Sequence, residues 1–64
     1  MNAENKAIEV INIAKKEYPN SEKDAFLYAI KGIKHCLTFP YLNEKEKVYI
    51  KEVQKVIENK LKNL

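Results

Sequence analysis

The chain has no arginine and no tryptophan, two prolines, and a single glycine, cysteine, histidine, serine and threonine. Each shortage closes off a class of protein. One cysteine cannot form an internal disulfide, which excludes the small secreted scaffolds held together by several bridges. One isolated glycine, Gly32, cannot build a phosphate-binding loop, which needs several at fixed spacing. Without arginine the chain lacks the planar fork that grips phosphate and reads guanine bidentately, although its net charge is +3. No apolar run approaches the roughly 20 residues of a membrane span, and no charged segment leads into an apolar stretch in the manner of a secretory leader. The expected location is the cytoplasm.

Catalytic chemistry is short of parts for the same reason. A nucleophile needs a base within hydrogen-bond reach and an orienting group beside it. His35 and Cys36 are chain neighbours, and on a helix they point about 100° apart, so they cannot serve one another as a dyad. Cys36 is read as a small core residue, and Ser21 as a helix cap rather than a nucleophile. Scattered carboxylates around one His and one Cys give no metal-ligand spacing, and the segment from Asn43 to Glu52 lacks the alternating acids and central glycine of a calcium loop. The expectation is a protein that is not an enzyme, with no cofactor, no metal and no small-molecule substrate.

What remains is an ordinary globular balance, 45% hydrophobic and 33% charged, in 64 residues. That length makes one domain, residues 1–64, since a second would leave neither half a core. At this size only about 60% of the surface is buried on folding, so hydrophobic gain and ordering entropy nearly cancel. Stability must then draw on well-made helices, on self-association or on a partner. Lysine, asparagine and isoleucine make up 26 of the 64 residues. Such a composition follows from AT-rich coding and suggests a low-GC bacterium, a phage or a mobile element as the source.

Period and punctuation predict an all-α, small three-helix bundle, with helices over about 3–18, 22–37 and 44–62. Asn2, Ser21 and Asn43 are the N-caps. Asn43 with Glu46 makes a capping box, and Ser21 with Asp24 approximates one. Pro19 ends the first helix. On the third, Tyr49, Ile50, Val53, Val56, Ile57, Leu61 and Leu64 fall within an arc of about 140°, a core-facing stripe. The second splits into a small stripe, Ala25, Ala29, Gly32 and Cys36, and a large one, Phe26, Ile30, Ile33 and Leu37. The small stripe is expected to pack closely on Ala3, Ala7 and Ala14 of the first helix, beside Val10, Ile11 and Tyr18. Gly32 is explained either by that close packing or by a kink.

Five apolar side chains are left off these inward arcs: Ile8, Ile13, Leu27, Tyr28 and Val48. Any one alone is ordinary surface. Five on so small a chain point to a surface that meets another protein. The preferred patch is Leu27, Tyr28, Lys31 and Lys34. Phe39 and Tyr41, in the linker Phe39-Pro40-Tyr41-Leu42, form a second patch, which either plugs the end of the bundle or anchors a partner. The expected function is a small non-enzymatic protein-binding module, an inhibitor, immunity-type factor or regulatory adaptor that occupies a partner's surface, with a homodimer as one form of it. The alternative is a nucleic-acid-binding helical domain using Lys47, Lys51 and Lys55, which recur every fourth residue. Against it, the second and third helices are joined by a long proline-containing link without glycine, unlike a helix-turn-helix. The plainer reading of the lysine ladder is a solvated face stitched to Glu44 and Glu58 by weak pairs.

Overall fold

The computed structural model describes residues 2–64 and contains three helices, α1 (Ala3–Glu17), α2 (Glu22–Cys36) and α3 (Glu44–Lys62). Each packs against the other two. The bundle is elongated, 36 × 19 × 19 Å, as expected when a 19-residue helix of about 28 Å sets the long axis.

The helices begin where the capping chemistry places them. Asn2 and Asn43 accept the backbone N–H three residues on through Oδ1, each at 2.8 Å, and Ser21 accepts that of Asp24 through Oγ at 3.3 Å. The box at Asn43 closes reciprocally, its own N–H donating to Glu46 Oε1 at 3.1 Å. At Ser21 only half of the box exists. The backbone N–H of Ser21 goes instead to the Tyr18 carbonyl at 3.4 Å.

The ends differ from expectation by one residue in α1 and α2. Tyr18 precedes Pro19, whose ring excludes the helical region for its neighbour, so Tyr18 turns out at φ −129°, ψ 65° and α1 stops at Glu17. Leu37 keeps helical angles but serves as the C-cap of α2. The link from α2 to α3 starts with tight turns, in which Thr38 and Phe39 donate to the carbonyls of His35 and Cys36.

The core consists of Ala7, Ile11, Ala14, Ala25, Phe26, Ala29, Ile30, Ile33, Val53 and Ile57, with Ala3, Val10, Tyr49, Ile50, Val56 and Leu61 packed at its margin. Three inward assignments fail, at Tyr18, Leu64 and Gly32, and two, at Cys36 and Leu37, are met only halfway. Tyr18 lies on the surface at 42% exposure because the proline takes it off the helix. Leu64 lies beyond the end of α3 and is exposed. Cys36 is only half-buried, and Gly32 is exposed. At 100° per residue Cys36 falls between the buried Ala25 and Ala29 and Gly32 only about 20° outside Ala25, so direction alone does not set them apart; both line a groove beside Val10, Ile13 and Ala14 of α1. A methyl group built on Gly32 would meet nothing within 4 Å, so close packing inside the chain does not account for this glycine.

Polar ties between helices are few. Lys15 pairs with Glu22 at 3.3 Å and Lys60 with Glu4 at 3.1 Å. The Tyr49 hydroxyl reaches the Asn2 carbonyl at 3.5 Å. Each pair is half-exposed and contributes at most about 1 kcal/mol, so burial holds the bundle together.

Candidate protein-binding face

The side of α2 turned away from the core carries the first patch. Phe26, Ile30 and Ile33 point inward, and the helical period therefore turns Leu27, Tyr28, Lys31 and Lys34 outward. All four are exposed. Leu27 and Tyr28 remain 47% and 46% accessible, a large apolar exposure for neighbouring positions on one helix.

Their surroundings form a shallow open hollow of about 590 Å³, whose rim includes Tyr18, Asp24, Leu27, Tyr28, Lys31 and His35, with Gly32 among them. Tyr18 leans over it from the end of α1, its ring centroid 5.3 Å from that of Tyr28 at an interplanar angle of 56°. Tyr28 and Gly32 also border a second groove of about 240 Å³ running along α1, where Val10, Ile13 and Ile33 supply an almost wholly apolar lining. The absence of a side chain at Gly32 thus keeps open a continuous depression spanning α2 and the edge of α1. Lys34 borders neither hollow.

Phe39 and Tyr41 occupy the end of the bundle. Their rings stack with centroids 5.4 Å apart and 18° between planes. Phe39 also meets His35 edge-on at 5.3 Å and 79°. The linker residues differ in exposure. Phe39 and Leu42 are half-buried, whereas Tyr41 is 76% exposed. His35, on the rim of the hollow, joins the two patches through this chain of rings.

Sequence reasoning missed Tyr18, Asp24, Gly32 and His35 as parts of this face. Tyr18 was hidden by its assignment to the inward side of α1. Asp24, Tyr28, Lys31 and His35, however, recur at intervals of four, three and four residues, which is legible spacing for one helical face. Ile8 and Val48 are exposed as expected but line neither hollow. Ile13 borders the second groove.

The lysine ladder takes a different form from the one expected. Lys51 and Lys55 are exposed, while Lys47 is half-buried. Among the described residues no carboxylate pairs with any of the three, and the only ion pair made by α3 is that of Lys60 with Glu4 across to α1. The face is solvated but not stitched. No cluster of three or more His, Cys, Asp or Glu side chains able to hold a metal occurs among the described residues. No described helix is long and apolar enough to cross a membrane.

Comparison with protein-family models, with curated proteins and with solved structures finds no match for this chain.

Proposed function

We propose that this chain is a small, non-enzymatic protein-binding module of the cytoplasm that acts as an inhibitor, immunity-type factor or regulatory adaptor by covering a partner protein's surface. One observation carries the reading: Leu27 and Tyr28 stand exposed beside Tyr18 around a hollow edged by Asp24, Lys31 and His35. An aromatic and aliphatic centre with a charged rim is the composition of a protein interface, where tyrosine supplies area and a hydroxyl that stays wet. The ring ladder from His35 through Phe39 to Tyr41 extends the same surface to the end of the bundle. A phage or mobile element is a fitting source for a protein of this composition.

The test is site-specific photo-crosslinking in the cell of origin, with a photoreactive phenylalanine analogue at position 28 or 41. Discrete protein adducts that vanish when Leu27→Asp is added are expected. Absence of any protein adduct from both positions would overturn the reading. The lysine-mediated nucleic-acid alternative is tested by the salt dependence of binding to duplex DNA, because lysine–phosphate contacts release counterions and affinity must fall steeply as salt rises. The unpaired exposure of Lys51 and Lys55 is what favours that alternative.

A further inference from the structure

We infer that the outward face of α2 pairs with the same face of a second copy of this chain, the two helices running antiparallel about an axis between Leu27 and Tyr28. This rests on the protein-binding reading of that face and names its occupant. Asp24, Tyr28, Lys31 and His35 follow the four-three-four interval that lines side chains up along one seam of a helix pair. All four are exposed and border the same hollow.

Charge along α2 is polarised. Glu22 and Asp24 lie in its first turn, Lys31 a little under two turns beyond Asp24, and Lys34 and His35 in its last turn, while Lys23 points about 100° away from Asp24 and off this face. A parallel pair would set acid beside acid and lysine beside lysine. An antiparallel pair whose axis passes between Leu27 and Tyr28 sets Asp24 of each copy opposite Lys31 of the other, twice by symmetry, with the two Tyr28 rings side by side across the axis. A two-fold interface requires a patch complementary to itself under that rotation, and this face meets the requirement.

Gly32 supplies the second observation. It lies one turn beyond Tyr28, at the place where a second helix must come close. Glycine weakens a helix more than any residue except proline, and nothing in the chain occupies the space it leaves. In the pair, the missing side chain lets the second helix approach closely at that open point. The size is also adequate: an interface of about 800 Å² per partner takes about a sixth of the 4783 Å² surface, and Tyr18 and Ile13 flank the α2 seam to widen it.

The experiment is sedimentation velocity with light scattering on the purified full chain, from micromolar to millimolar concentration. The wild type should rise towards twice the chain mass. Asp24→Lys and Lys31→Glu should each raise the dimer dissociation constant by about tenfold or more, since each turns two attractions into two repulsions. An equimolar mixture of the two variants should recover dimer, because the mixed pair makes one contact as in the wild type and one with its charges exchanged. Gly32→Ala should keep the helical circular dichroism and weaken pairing. A wild type that stays monomeric throughout would overturn the proposal, as would a mixture that shows no recovery. Crosslinking at position 28 separates this from the broader reading: an adduct at twice the chain mass supports self-pairing. Adducts of other masses alone overturn self-pairing while leaving a protein-binding face. No adduct at position 28 overturns self-pairing, and no adduct at position 41 either overturns the broader reading as well.

Discussion

Replacing Gly32 with alanine should make the monomer more stable. Position 32 lies inside α2, with no glycine in the chain adopting positive φ, so alanine fits the backbone as it stands. Its added methyl meets nothing within 4 Å, so no steric penalty offsets the gain. The gain itself is the difference in helix propensity between the two residues, about 0.8–1.0 kcal/mol, part of which arises from the reduced freedom of the unfolded chain. In a domain of 60–100 residues about 1 kcal/mol corresponds to a rise in Tm of roughly 4–8 °C. The assay is thermal and urea denaturation followed by circular dichroism at 222 nm, at a concentration low enough that the chain is monomeric, because dimerisation would make Tm depend on concentration. A fall in Tm would refute the reasoning by showing that the methyl group collides with something. An unchanged Tm would refute it too, by showing that the last turns of α2 are already frayed.

The remaining predictions concern what holds the bundle together. Asn43→Ala removes both hydrogen bonds of the α3 capping box and should cost about 1 kcal/mol in urea denaturation; no change would mean that the first turn of α3 contributes nothing. Ile57 is wholly buried, and Ile57→Ala should cost about 3 kcal/mol, most of the stability of so small a domain, seen as a broad low-temperature melt or an unfolded chain. Leu27→Asp should shift monomer stability by no more than about 0.5 kcal/mol, and a loss well above that would place Leu27 in the core. Glu4→Gln, which breaks the ion pair to Lys60, should cost under about 1 kcal/mol, with the difference vanishing in molar salt.

Residue types that act through their immediate neighbours were readable from the chain alone. Asn2, Ser21 and Asn43 cap because the donors they satisfy lie three residues along the chain, and the bundle follows from the apolar period. All five side chains assigned to the outside, Ile8, Ile13, Leu27, Tyr28 and Val48, are exposed. The readings that failed concern the margins of the inward arc. A helical wheel gives direction but not how closely a neighbouring helix covers it, so Gly32 and Cys36, which share the direction of Ala25 and Ala29, lie open along a groove beside α1. Tyr18 failed because a proline acts on its predecessor's backbone, which rotates the side chain out of the wheel altogether. The face on α2 was half legible. Leu27, Tyr28 and Lys31 could be grouped by spacing, whereas the approach of Tyr18 and the ring contact between His35 and Phe39 depend on how α1 and the linker return to α2.

Four of the ten core residues are alanine, two on α1 and two on α2. Ala7, Ala14, Ala25 and Ala29 are each no more than 3% exposed, so they have nothing to lose by truncation and no room to grow. Adding methylenes to a filled interior costs about 1–3 kcal/mol, comparable to the whole margin of a domain this short. Mutational tolerance in this molecule is therefore lopsided: the α1–α2 half of the interior resists enlargement, the Ile57 half resists reduction, and neither offers a gradual route to a different core. Divergence among descendants of such a chain is steered to its outer faces, where a change of sequence alters whom the protein meets before it alters how the protein folds.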